Sequence, residues 1–208
     1  MRTLMVANPK GGCGKSTIAV HLASWFARCD EVVCLGDLDR QQSSRQWLEL
    51  RPTSLPTIRH WALTEDDVGQ PPGDCSLAIL DTPAGLHGKP LKKMLSDVDR
   101  VVVPVSPSRF DMLASRDFFE ELAEIKAVRK EKVGIAVVGM RVDRRTHAAQ
   151  QLTEFLQQFD LPLLTCIRST QRYVHAIDTG VTLFDAYSPA TEDFDQWRPL
   201  MDWLVSRR

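Results

Sequence analysis

The segment Lys10-Gly11-Gly12-Cys13-Gly14-Lys15-Ser16-Thr17 comes directly after the apolar run Leu4-Met5-Val6-Ala7. A strand that runs into this loop and leaves it as a helix admits few folds. The glycines let the backbone curl so that successive N–H groups converge on one point, and a helix starting near Lys15 adds the positive end of its dipole there. That point suits a phosphate. By the logic of the phosphate-binding loop, Gly11, Gly12, Cys13 and Gly14 form the cradle, Lys15 reaches the β- and γ-phosphates, Ser16 offers its hydroxyl to Mg²⁺ and Thr17 donates to the α-phosphate. Cys13 reads as a small loop residue, with a redox role as the alternative because helix N-termini depress thiol pKa. The ordinary pattern G-x-x-x-x-G-K-[ST] asks for glycine where this chain has Pro9, and a second lysine, Lys10, stands at the loop entrance.

Two further strand ends carry carboxylates. Val32-Val33-Cys34-Leu35 leads into Gly36-Asp37-Leu38-Asp39-Arg40-Gln41-Gln42. Acids one residue apart at a strand end point the same way, and in a parallel sheet the strand C-termini are where ligands sit. Leu77-Ala78-Ile79-Leu80 ends in Asp81, followed by Thr82-Pro83-Ala84-Gly85. An apolar strand ending in Asp is the Walker B arrangement, whose carboxylate holds Mg²⁺, often through water.

The loop K-G-G-x-G-K-[ST] resembles the deviant Walker A motif of the ParA/MinD family of positioning ATPases. The resemblance implies that Lys10 reaches across a homodimer to the nucleotide of the other subunit, with two ATP molecules sandwiched between two chains. Residues 36–42 resemble the family's D-x-D-P-Q motif, with Arg40 in place of the usual proline. By that match Asp39 orients the hydrolytic water and Asp37 supports the Mg²⁺ water shell. Asp-Thr-Pro-Ala-Gly at 81–85 fits the family's Walker B loop. Residues 167–173 and 180–185 resemble a late segment that packs on adenine and ribose, which brings in Arg168, and Met140 at the end of an earlier strand is a second candidate for the base pocket. The expected cofactors are ATP and Mg²⁺, and Lys10, Lys15 and Asp39 are the candidate catalytic residues.

Composition bounds the rest. At 208 residues, one α/β domain spanning 1–208 is expected. No segment approaches the roughly 18–20 apolar residues of a membrane span. The first residues read straight into a strand, so neither a signal peptide nor an N-terminal helix-turn-helix is expected, and operator-specific DNA binding is not expected either. Five cysteines without a C-x-x-C pair argue against a disulfide framework or a zinc site and fit a reducing cytoplasm. Strands are expected at 3–8, 31–36, 57–61, 76–81, 100–105, 133–139 and 162–166, with Pro104 at a strand end. Helices are expected near 15–29, 41–51, 89–97, 110–130, 145–159 and 192–206, with a loop at 64–75. The alternation predicts a doubly wound, mostly parallel sheet with helices on both faces.

The net charge of −1 excludes a globally basic nucleic-acid binder but not a basic patch. Arg144, Arg145, Arg168 and Arg172 are the candidates for gripping DNA phosphates; a second basic group at Lys126, Arg129, Lys130 and Lys132 is interleaved with glutamates. The resemblance implies a ParA-like ATPase that binds nonspecific DNA on the nucleoid and positions a cargo, with hydrolysis stimulated by a ParB-like or other cargo-linked activator. The alternative is a MinD-like ATPase that cycles on the membrane through a C-terminal amphipathic helix, which would use Phe194, Trp197, Trp203 and Arg207-Arg208. Asp193, Asp195 and Asp202 oppose that, and a core-facing stripe is the plainer reading. Dethiobiotin synthetase and the nitrogenase iron protein share the loop style, but the cluster cysteines of the latter have no counterpart here.

Overall fold

A computed structural model describes residues 1–63, 69–189 and 191–206. Residues 64–68 of the expected loop and Arg207-Arg208 lie outside these. The chain runs β1 (Arg2–Val6), α1 (Lys15–Arg28), β2 (Val33–Asp37), α2 (Ser43–Leu50), β3 (Ile58–Trp61), β4 (Leu77–Asp81), α3 (Gly88–Met94) and β5 (Arg100–Val105). It continues through α4 (Arg109–Glu124), α5 (Lys126–Arg129), β6 (Gly134–Met140), α6 (His147–Gln157), β7 (Leu163–Ile167), α7 (Gln171–Ile177), α8 (Leu183–Ala186) and α9 (Glu192–Val205).

The seven strands form one sheet in the order β3-β2-β4-β1-β5-β6-β7, and every pairing is parallel. The strands are apolar on both sides because both faces are covered. Leu4, Val6, Leu35 and Ile79 face α1, α2 and α7–α9, whereas Met5, Cys34, Ala78, Leu80 and Val103 face α3–α6. β1 connects leftward through α1, while β5 connects rightward through α4. The strands are neighbours, so the loops leaving them diverge at the C-terminal edge. Such a switch point opens a ligand crevice.

Pro104 lies inside β5, paired with Val138, and not at its end. The ladder with β1 stops at Val102, so the missing N–H of Pro104 costs no bond on that side. The helix expected over 110–130 is split at Ile125, which turns extended (ψ 127°) and buries its side chain between α4 and α5. Two short helices, α7 and α8, form in segments where no helix was expected. The cysteine expectation also needs correction: Cys34 of β2 and Cys75, just before β4, form a disulfide. Their strands are adjacent, a proximity that spacing along the chain does not reveal.

In α9, Phe194, Trp197, Leu200, Met201 and Leu204 are buried and contribute to the core over α1 and β7. The apolar stripe is therefore core-facing. Among the described residues, no helix is long and apolar enough to cross a membrane.

Candidate nucleotide-binding site

The three motifs meet at the C-terminal edge of the sheet. Val6 pairs with Asp81, and Asp37 pairs with the same Asp81 from the other side. The phosphate-binding loop, the Asp37–Asp39 turn and the Walker B loop are thus brought side by side. Gly85 N–H donates to the Pro9 carbonyl (2.8 Å), which ties the Walker B loop to the entrance of the phosphate loop.

Gly14 is the N-cap of α1 at φ 98°, ψ 21°, a left-handed conformation that glycine adopts without strain. A Cβ there would also sit 2.7 Å from Met140 Cε. Met140 is buried and packs against the loop at Gly14. Lys15 is buried and its ammonium donates to the Lys10 carbonyl (3.0 Å), curling along the loop it would serve. The Cys13 thiol also donates to that carbonyl (3.2 Å). Burial pushes its pKa up despite the nearby Lys15 charge, which favours the small-loop-residue reading over an activated thiol.

Asp81 is fully buried, and among the described residues neither carboxylate oxygen has a partner in hydrogen-bond geometry, although the Ser16 and Ser44 hydroxyls lie near it. Burial, reinforced by the charge of Asp37, pushes its pKa up to about 7; the Ser16 and Ser44 hydroxyls and Lys15 pull the other way without offsetting this. A buried carboxylate without donors is costly unless a cation completes it. With Ser16 at the start of α1, this donor set is hard oxygen throughout, which fits Mg²⁺.

Asp37 is buried and fully engaged. Its Oδ1 accepts from Asp39 N–H (2.9 Å), and its Oδ2 accepts from Ser44 N–H (2.9 Å), the Ser44 hydroxyl (2.8 Å) and Arg45 N–H (3.2 Å). The carboxylate satisfies the first turn of α2, whose N-terminal N–H groups would otherwise be orphaned. Asp37 therefore holds α2 and the Asp39 turn in place, a task beyond the expected support of the Mg²⁺ water shell. Asp39 itself is half-exposed, with Oδ1 accepting from Gln41 N–H (3.0 Å).

Beside the loop lies a cleft of about 250 Å³ lined by Gly14, Lys15, Ser16 and Thr17, with Ser43 and Trp47 of α2 and Ile177 of α7 as its wall. Sequence reasoning missed Ser44, Trp47 and Ile177. A larger apolar cavity of about 370 Å³, lined in part by Trp61, Leu80 and Met94, touches neither the phosphate loop nor Asp37, Asp39 or Asp81.

The basic candidates divide by position. Arg144 and Arg145 follow β6 and Arg168 and Arg172 follow β7, so all four lie at the same sheet edge as the phosphate loop. Lys126, Arg129, Lys130 and Lys132 precede β6 and lie at the opposite edge. Arg168 Nε (2.6 Å) and Arg172 Nη1 (2.8 Å) both bond the buried carboxylate of Asp193, clamping β7 and α7 to α9. Arg144 donates to the Leu164 carbonyl (2.7 Å), and Arg145 is exposed on the same turn.

Residues 4–183 match the model of the CobQ/CobB/MinD/ParA nucleotide-binding domain family. The chain belongs to this family. Among its relatives is the maintenance of carboxysome distribution protein A of Halothiobacillus neapolitanus, 26% identical over 98% of this chain and 96% of the relative. The chromosome-partitioning ATPase Soj of Thermus thermophilus is 25% identical over 100% of this chain and 96% of its own length. In fold, the chain resembles an ATP complex of McdA from Cyanothece, with a TM-score of 0.76 at 15% identity over 100% of this chain and 98% of that one. The ParA/MinD domain expected from the three motifs and the parallel sheet covered by helices expected from the alternation are thus both found.

Proposed function

We propose that this chain is a Mg²⁺-dependent ATPase that forms an ATP-sandwich homodimer, binds DNA without sequence preference in that state, and positions a cargo. One observation carries the ATPase reading: the unpartnered, buried carboxylate of Asp81 lies beside Ser16 and Lys15 under a phosphate loop. Mg²⁺ would be held by Ser16 and Asp81 and would supply charge neutralisation at the phosphates. Lys15 binds the β- and γ-phosphates, and Asp39, on the turn that Asp37 fixes, orients water. Lys10 is exposed at the loop mouth and has no evident task toward its own nucleotide, which supports a role toward a second subunit.

The cargo reading draws support from relatives named for carboxysome distribution, for ParA and for chromosome partitioning. A dimer doubles the number of phosphate contacts made by Arg144, Arg145 and their neighbours. Affinity for DNA then depends steeply on salt, with a slope of about −0.9 per phosphate neutralised. A cargo-linked activator protein would time hydrolysis and release. The membrane alternative loses ground because the apolar stripe of α9 is occupied by the core.

The test uses the Asp39→Ala protein, expected to hold ATP without turning it over. Its binding to random-sequence duplex DNA is measured with ATP and with ADP across a salt series. Binding that needs ATP and weakens steeply with salt is expected. A confirmed ATP dimer that ignores DNA would remove the DNA-surfing reading.

A further inference from the structure

Lys10 is held at three points. Its N–H donates to Asn8 Oδ1 (2.9 Å), its carbonyl accepts from Lys15 and Cys13, and its ammonium lies 3.8 Å from Asp111 Oδ1 in the first turn of α4. Asn8 and Asp111 are themselves connected. Asn8 Nδ2 donates to the Pro104 carbonyl (2.8 Å) and to Ser115 Oγ (3.2 Å), and the Ser115 hydroxyl donates to the Asp111 carbonyl (2.9 Å). The contacts close into a ring that joins the loop leaving β1 to the helix following β5, the two segments that diverge at the switch point.

The links of this ring are unequal. Asn8 and Ser115 are buried, so their bonds are shielded from water. The Lys10 side chain is 45% exposed and that of Asp111 21%, and their contact is purely ionic at 3.8 Å. Asp111 is not needed to cap α4, because the Ser108 hydroxyl accepts from its backbone N–H (3.1 Å). Breaking the Lys10–Asp111 pair therefore frees the ammonium while the Lys10 backbone stays anchored on Asn8. The lysine becomes an arm on a fixed pivot.

We propose that Asp111 is a positioning residue that parks the Lys10 ammonium within its own subunit, so that the pair must open before Lys10 can serve a second copy of this chain. The inference rests on the dimer reading above. Each dimer opens two such pairs. A partly exposed ion pair contributes a factor of about 1.4 to 5, so removing both should tighten the ATP dimer between about twofold and 30-fold.

The experiment measures the dimer dissociation constant by sedimentation at saturating Mg–ATP, in the Asp39→Ala background, with and without Asp111→Asn. Asp111→Ala is the second variant, guarding against a new hydrogen bond from the amide. Tighter dimers are expected from both, with the gain shrinking at high salt as the Debye length falls to about 3 Å near 1 M. Ser108→Ala removes the helix cap but keeps the pair, and should not tighten the dimer. An unchanged constant in the Asp111 variants overturns the inference alone. A weaker dimer also overturns it, placing Asp111 against the partner subunit instead. A parent protein that stays monomeric with ATP overturns the dimer reading and this inference with it.

Discussion

Replacing Asp185 by alanine should destabilise the fold more than a typical surface change, because this residue latches α8 to the rest of the molecule. Its carboxylate is buried, with Oδ2 accepting from Arg51 Nη1 (2.9 Å), the Ser24 hydroxyl (2.8 Å) and Thr182 N–H (2.9 Å), and Oδ1 accepting from Arg51 Nη2 (3.2 Å). Arg51 is equally buried, with 4% of its side chain exposed, so removing Asp185 strands a guanidinium without a counter-charge. Breaking a buried pair in this way costs about 3–5 kcal/mol, a large share of the roughly 5–15 kcal/mol that holds a domain together. At this chain length the melting temperature should fall by about 6–20 °C. Urea unfolding followed by tryptophan fluorescence reads the change as a lower midpoint at constant slope. The double variant Asp185→Leu/Arg51→Met should recover much of the loss, since apolar replacement of a buried pair is often neutral. Burial pushes the Asp185 pKa up, but the Arg51 hydrogen bonds and charge, with Thr182 and Ser24, outweigh it and hold the carboxyl low. A depressed folded pKa means that the contribution is whole above the unfolded value and lost as pH falls through the folded one. A loss below about 1 kcal/mol for Asp185→Ala, the size of an exposed pair, would refute the latch.

The remaining predictions concern the loop and its support. His21 is fully buried; its Nε2 accepts from Leu183 N–H (3.2 Å), so Nδ1 carries the proton and donates to the Thr17 carbonyl (2.8 Å). Burial lowers its pKa from 6.5 to about 4, so its share of stability is whole above about pH 6.5 and fades toward pH 4, by about 3 kcal/mol; urea midpoints of wild type and His21→Gln across this range should converge at low pH. Lys15→Ala should abolish nucleotide binding in a calorimetric titration, whereas Lys10→Ala should bind ATP as a monomer, and normal dimerisation would remove Lys10 from its cross-subunit role. Gly14→Ala should lose nucleotide affinity at least tenfold with little change in melting temperature, because the strain falls on the loop at φ 98° and against Met140.

What was legible in the sequence shares one property: the residues are close together along the chain. The phosphate loop, the Asp37–Asp39 turn and Asp81 each follow a strand within a few residues, and the strands themselves were located to within about two residues. What was not legible depends on contacts between distant segments. The motif places Asp37 near Mg²⁺, but that its oxygens accept from Ser44 and Arg45, because α2 starts close enough to need a cap, is not visible in the motif. α7 and α8 are too short to show a helical period; α8 forms because Thr182 and Asp185 cap it reciprocally and because Leu183 and Phe184 bury against α1.

The same distinction explains how the cleft is supported. Its floor is a local motif, but its wall is assembled from Trp47 and Ile177, whose helices are fixed by other residues. Trp47 Nε1 donates to the Val181 carbonyl (3.1 Å), which ties α2 to the turn before α8. Gly180 makes that approach possible: a Cβ there would meet the Leu50 carbonyl at 2.4 Å, and its φ of 70° strains any other residue. His21 then joins α8 to the first turn of α1 through Leu183 and Thr17, and stacks on Trp197 of α9 with ring centroids 5.0 Å apart. The residues that set the phosphate loop and those that hold the chain's last helix are thus one connected packing unit. A substitution in α8 should therefore alter nucleotide affinity without touching the loop, and a change confined to α3 on the opposite face should not.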